Sequence, residues 1–250
     1  MSKVALITGA GSGIGRVAAE AFARDGTAVL VHDVDERARA VAEDIGGVFL
    51  RADLSDREAV TRLAQEALAE RGRVDILVNN AGFQHVSPVD EFSEDLWAKM
   101  IQVMLIAPFQ LTKYLAPAMK QSGWGRIINI SSIHGVVASP YKSGYVAAKH
   151  GLMGLTKAVA LELASAGITV NAICPAYVRT PLVESQIKDL AAVHHLSEEE
   201  VIARIVLEPA AIKRLIEPSE VVELVRFLAS DKASAMTGAA HMLDLGWTAR

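Results

Sequence analysis

Cysteine is nearly absent from the 250-residue chain. Cys174 stands alone, which excludes an intramolecular disulfide and any cysteine-built zinc site. No other grouping has metal-ligand spacing, so no metal is expected. A reducing compartment fits best. Basic residues are also short, with 25 Lys and Arg against 29 Asp and Glu and a formal charge of −4. Without a basic excess or a Lys/Arg-rich run, nothing is available to neutralise a phosphate backbone, and nucleic acid is not an expected partner. No uninterrupted apolar run approaches the ~18 residues of a membrane span. The first residues pass straight into Lys3-Val4-Ala5-Leu6-Ile7-Thr8 without the sections of a signal peptide. The expectation is a cytoplasmic protein with no membrane partner. Pro/Gly/Ser linkers, repeats and charge blocks are missing too, so residues 1–250 read as a single domain. What is present is apolar content, 51% against 22% charged, which excludes a disordered or collagen-like chain.

Seven short apolar runs alternate with amphipathic stretches: Val4 to Ile7, Val29 to Val31, Val48 to Leu50, Ile76 to Val78, Ile127 to Ile130, Ile168 to Ile173 and His241 to Asp244. Strands buried on both faces read as runs of this kind, and the intervening segments have helical length and period. The fold class is therefore α/β: a doubly wound Rossmann fold with a seven-stranded parallel sheet and helices on both faces. Capping boxes at Ser55-Asp56-Arg57-Glu58 and Ser197 to Glu200 mark two helix starts. Pro181 to Pro218 breaks the rhythm with helical character and no strand, just before a last helix at Ser219 to Leu228. An insertion there, about 181–218, is expected to form a small helical lid.

Thr8-Gly9-Ala10-Gly11-Ser12-Gly13-Ile14-Gly15 lies between the first strand and a helical pattern. Glycines at such a junction permit a tight turn and close backbone approach to a pyrophosphate, which the helix amino terminus then faces. Asp33, at the end of the second strand, is spaced to accept from both ribose hydroxyls and to repel a 2′-phosphate. That favours NAD over NADP; the alternative is that Asp33 caps a helix beginning near Asp35. Farther on, Tyr145 and Lys149 lie four apart on one helix face, with Ser132 at the end of the preceding strand. A hydride delivered to a ketone creates an alkoxide, which needs a proton donor and a group to hold the developing charge. Tyr145 can donate, Lys149 can lower its pKa, and Ser132 can bond the oxygen. A Tyr/Lys pair alone is more often a surface packing pair; the glycine cradle reverses the reading.

These residues resemble the short-chain dehydrogenase/reductase family across essentially the whole chain. Gly9, Ser12, Gly13, Ile14 and Gly15 match its cofactor loop, Asp53-Leu54 resembles its adenine-contacting pair, and Asn79-Asn80-Ala81-Gly82 resembles the segment after its fourth strand. Ser132, thirteen residues before Tyr145, and Lys149 match its catalytic residues. In Pro175-Ala176-Tyr177-Val178-Arg179-Thr180 the resemblance implies that Val178 and Thr180 meet the nicotinamide, with Ala176 where Gly is usual. The fourth helix departs more, reading Val103-Met104-Leu105 where the family has an Asn that continues a proton relay beyond the lysine. A thioether cannot replace an amide donor, so the relay must be rerouted or turnover slows. The family is generally tetrameric, which implies a homotetramer.

Gln84, His134, Lys142 and Gln186 resemble the set that binds the substrate carboxylate in the family's bacterial 3-hydroxybutyrate dehydrogenase branch. A carboxylate only accepts, and two amides, an imidazole and an ammonium offer it donors. Tyr177 and Trp247 are candidates for an apolar wall around the short carbon chain, and Trp247 is equally suited to an interface anchor. The other histidines, including His194 and His195, read as surface residues. The resemblance thus implies NAD-dependent interconversion of (R)-3-hydroxybutyrate and acetoacetate. Two rivals are a dehydrogenase for another small hydroxy or carbonyl compound and a non-catalytic NAD-binding sensor.

Overall fold

A computed structural model describes residues 2–249, with the side chains of Asp189, Ala192, Val193 and His194 outside that description. The reading of His194 as a surface residue therefore falls outside the described side chains; His195 is exposed.

Seven parallel strands form one sheet in the order β3-β2-β1-β4-β5-β6-β7. They are β1 (Val4–Thr8), β2 (Ala28–Asp33), β3 (Val48–Arg51), β4 (Ile76–Asn79), β5 (Gly125–Ile130), β6 (Ile168–Pro175) and β7 (Ala240–Leu243). Each covers the apolar run expected for it, to within one or two residues. The helices between them are α1 (Gly13–Arg24), α2 (Arg39–Asp44), α3 (Arg57–Arg71), α4 (Glu94–Ile101), α5 (Ala107–Ser122), α6 (Ser143–Leu163), α7 (Pro181–His194), α8 (Glu198–Val201) and α9 (Pro218–Leu228).

The continuous apolar runs have a direct physical basis. Along β1, Val4 and Leu6 enter one core while Ala5 and Ile7 enter the other. Both faces of the sheet are covered: α3, α5 and α6 supply the first core, and α1 and α9 supply the second. Period-2 side chains that are buried on both sides leave no polar position to alternate with.

The Ser55 capping box is corrected. Helix α3 begins at Arg57, and its cap is Asp56, whose carboxylate accepts from the Glu58 amide. Ser55 turns back instead, giving both its amide and its hydroxyl to Asp53 Oδ1 at 2.8 Å. The Ser197 box is present in full, with reciprocal bonds between Ser197 and Glu200. Residues 181–218 carry helices and no sheet strand; their one β contact is an isolated bridge from Ile216 to Val178. One irregularity has no local sequence signal: α4 runs into α5 through a π-helical turn at Gln102–Ile106, with Met104 inside it. Among the described residues no helix is long and apolar enough to cross a membrane.

The strand order reverses direction between β1 and β4. In open parallel sheets, a crevice forms at that point, outside the carboxyl ends of the strands.

Candidate active site

A cleft of about 460 Å³ opens at that crevice. It is lined by residues at or just past the ends of β1 to β6: Gly9, Ser12, Gly13 and Ile14, then His32 and Asp33, Asp53 and Leu54, Asn80, Ser132, and Val178 with Thr180. Tyr145 and Lys149 reach it from α6. All the expected cofactor residues except Gly15 line it, and Gly15 is spent on packing.

The glycine loop is shaped for close approach. Gly9 and Gly13 have φ of +65° and +53°, a region that L side chains rarely adopt. A Cβ at Gly15 would stand 2.2 Å from the Gly9 carbonyl oxygen. Asn80 braces the same turn, its amide donating to the carbonyls of Thr8 (2.9 Å) and Gly9 (3.1 Å). Helix α1 starts from Ser12 with no side-chain cap, so its first amides and its positive dipole end face the cleft. This cradle fits a pyrophosphate.

Asp33 accepts from the Gly11 amide at 3.0 Å and from the Asp35 amide at 3.1 Å. Asp35, not Asp33, caps the short helix that follows, accepting from the Arg37 amide. The nearby guanidiniums are committed to acids: Arg37 to Asp35, and Arg39 and Arg51 to Glu36. Asp53 is held below the usual carboxylate range by the Ser55 amide and hydroxyl. The reading of the remaining histidines as surface residues is corrected at His32, which is 1% exposed because β2 carries it inward beneath the cleft. It is buried on the cleft wall with Nε2 against the Ala52 carbonyl at 3.1 Å and Nδ1 unpartnered, and burial lowers it to about 4.

Ser132, Tyr145 and Lys149 converge as the spacing requires. Ser132 hydrogen-bonds Tyr145, which pulls the phenol down, but burial dominates and pushes it up to about 12. Lys149 lies with Nζ 5.5 Å from the Tyr145 ring centroid and donates to the Ile130 carbonyl at 2.7 Å; burial lowers it to about 8. The lowering of Tyr145 by Lys149, expected from the sequence, is corrected: burial, Ser132, Tyr177 and Cys174 set the phenol, and Lys149 is not among its causes.

A second, smaller pocket of about 60 Å³ continues beyond Ser132 and Tyr145. Gln84, His134, Lys142, Tyr177 and Gln186 all line it, from five separate chain segments. Tyr141 adopts a left-handed backbone (φ 65°) and its carbonyl accepts the Ser87 amide at 2.9 Å, which turns the chain so that Lys142 enters the pocket at the start of α6. Lys142 is 9% exposed, and burial lowers it to about 8. Its Nζ has the Tyr177 hydroxyl at 3.4 Å, and no carboxylate among the described residues is within ion-pairing distance. Gln84 Oε1 and Gln186 Nε2 are buried with no partner. Trp247 does not line the pocket; its ring meets His134 edge-on at 6.3 Å, and its Nε1 is also unpartnered. His134 differs from the expected free donor: Nε2 lies 2.8 Å from the Ser139 hydroxyl and Nδ1 3.5 Å from the Ser132 hydroxyl, so both nitrogens have protein neighbours. Ser139 carried no sequence signal, because its partner is set by the turn at 133–135 and not by a spacing rule.

A dinucleotide cradle leading to a Ser/Tyr/Lys cluster defines a class, the nicotinamide-dependent oxidoreductases, and the comparisons specify the family. A family model described as enoyl-(acyl carrier protein) reductase matches residues 9–248. A D-beta-hydroxybutyrate dehydrogenase of Rhizobium meliloti (strain 1021) is 44% identical over 258 residues, covering 100% of both chains. Another protein of that name, from Cupriavidus necator, is 41% identical over 254 residues, covering 99% of this chain and 98% of that one. Among solved structures, a putative NAD(P)-dependent gluconate 5-dehydrogenase from Beutenbergia cavernae, with NADP at low occupancy, has a TM-score of 0.88 and 38% identity, covering 99% of this chain and 97% of that one. The chain belongs to the short-chain dehydrogenase/reductase family and is an oxidoreductase.

Proposed function

We propose that the protein is an NAD-dependent dehydrogenase interconverting (R)-3-hydroxybutyrate and acetoacetate. The observation that carries this reading is Lys142, a buried ammonium with no counter-charge in contact among the described residues, in a small pocket beside the Ser/Tyr pair. Burying an unpaired charge is expensive, and the site recovers that energy only when a ligand brings the opposite charge. Gln186 Nε2 adds a donor with no other use, and Gln84, in the same lining, would bond the acid through its amide nitrogen. The pocket thus takes a small acid whose reacting carbon sits toward Ser132 and Tyr145. His134 and Tyr177 complete its wall, with Trp247 packed on His134.

When bound, the nicotinamide accepts or returns the hydride. Tyr145 takes the hydroxyl proton in oxidation and gives it back in reduction, Ser132 bonds the reacting oxygen, and Lys149 orients the ribose and stabilises the phenolate. The loop Gly9, Ser12, Gly13, Ile14 and Gly15 holds the pyrophosphate, Asp53 and Leu54 flank the adenine, and Asn80, Val178 and Thr180 border the nicotinamide end. Asp33 selects NAD, since its charge opposes a 2′-phosphate and the neighbouring guanidiniums already have acidic partners. Residues 181–218 act as a lid in a single domain, because Leu182, Val183 and Gln186 line the small pocket from α7. The working form is a homotetramer in the cytoplasm.

Lys142→Met tests the substrate reading. Removing a desolvated carboxylate partner should lower kcat/KM for 3-hydroxybutyrate by about 10²-fold or more, from the ~3 kcal/mol of such a pair. Oxidation of a neutral secondary alcohol of similar size should change little. Equal losses on both substrates would contradict a carboxylate site and favour another small hydroxy compound.

A further inference from the structure

A phenol that takes a substrate proton must exchange it with solvent once per turnover. On the side of the fourth helix Met104 offers no donor: it is 1% exposed, and its Sδ would lie 3.1 Å from a Cβ at Gly82. On the other side a continuous chain of polar atoms runs outward. Ser132 and Tyr145 line the same small pocket, and the Ser132 hydroxyl lowers the phenol as a hydrogen-bond partner. The Ser132 hydroxyl stands 3.5 Å from His134 Nδ1 and accepts the His134 amide at 3.2 Å, which fixes the two side chains relative to each other. His134 Nε2 stands 2.8 Å from the Ser139 hydroxyl, and Ser139 is only half-buried.

We propose that His134 and Ser139 form the proton route between Tyr145 and solvent. This rests on the assignment of Tyr145 as acid/base and not on the identity of the hydroxy acid. In oxidation, Tyr145 receives the substrate hydroxyl proton and passes a proton to Ser132 Oγ, while the Ser132 proton moves to His134 Nδ1. The Nε2 proton moves to Ser139 Oγ, and the Ser139 proton leaves to water. The net change is one proton from substrate to solvent, with the hydride and its two electrons going to the oxidised dinucleotide of the proposed reaction. The imidazole regains its first tautomer by exchange with water in the pocket between turnovers, and the reverse sequence supplies the proton for ketone reduction. A neutral imidazole is needed, with one bare and one protonated nitrogen. Burial, Lys142 and His150 all keep His134 neutral, with Tyr145 and Trp247 as its ring neighbours. The 3.5 Å link is long for transfer and must shorten in the ternary complex, as catalytic hydrogen bonds in free enzymes commonly do.

Ser139→Ala removes the outer link without altering a residue that lines either cavity. It should lower kcat roughly tenfold, less than the about 10²-fold or more expected for loss of the acid/base itself. KM and NADH affinity should hold, the solvent isotope effect on kcat should rise, and added imidazole should restore the rate. Ser139→Thr, which keeps the hydroxyl, should behave as the wild type. Unchanged kcat and isotope effect in Ser139→Ala, or equal slowing in Ser139→Thr, would overturn the proposal. A second readout needs no turnover: ¹⁵N shifts of His134 in the whole protein should show Nε2 protonated and Nδ1 bare, and the opposite tautomer would overturn it. The kinetics use whichever hydroxy compound the wild type oxidises fastest. Inactivity on 3-hydroxybutyrate would thus remove the substrate reading and leave the proton route standing.

Discussion

His32 shows how a single buried group couples the cleft to stability. Its folded-state value is about 4, lowered chiefly by burial, against 6.5 for the ordinary imidazole. Between those values the unfolded chain binds a proton that the folded chain refuses, so stability falls as pH drops from 6.5 toward about 4. Above 6.5 both states are neutral and the effect vanishes. The full window amounts to about 3 kcal/mol from this residue, and His134, also lowered to about 4, acts in the same direction. Urea unfolding at pH 7.5 and pH 4.5 should therefore show a smaller pH loss in His32→Gln than in the wild type. An identical loss in both proteins would mean that His32 titrates normally. Lys142 works at the other end of the scale. Burial lowers it to about 8, so binding of an acidic substrate should weaken as pH rises past that value and the ammonium discharges. A KM for the acid that stayed flat from pH 7 to pH 9.5 would argue against Lys142 as its partner.

At the scale of elements, the tightest constraint is the junction of β1 with α1. Gly15 approaches the Gly9 carbonyl so closely that any Cβ must displace backbone, not a flexible side chain. Gly15→Ala should cost about 2–4 kcal/mol, as overpacking against rigid backbone does, and NADH titration should show weaker binding even in the folded fraction. Near-wild-type affinity and stability would show that the loop has slack. The junction was legible because strand, glycine loop and helix follow each other in the chain. So were the seven strands, whose two-sided burial leaves uninterrupted apolar runs. The start of α3 was misplaced because Ser55 and Asp56 are both good caps, and Asp53 captured the serine. The π-turn around Met104 left no mark, since its residues are as helical in propensity as those on either side. The convergence of Gln84, Lys142 and Gln186 followed from resemblance and not from spacing, because their segments meet only after the sheet has formed. The Ser139 contact could not be read at all.

At the scale of the molecule, the two cavities share Ser132 and Tyr145 and form one crevice along the carboxyl ends of the strands, and α7 borders both parts of it. A lid over that crevice should lose amide exchange when the ternary complex forms. Hydrogen exchange across residues 181–206 should slow on adding NADH with acetoacetate, whereas unchanged exchange would remove the lid. The most direct measurement follows NADH formation at 340 nm with purified protein, giving (R)- and (S)-3-hydroxybutyrate in turn with NAD and with NADP. Turnover confined to the (R) acid with NAD is the predicted result, and it would uphold the Lys142 pocket and the Asp33 selection together. Tight NADH binding with no turnover of either enantiomer would contradict the assignment and direct the search to another small hydroxy compound.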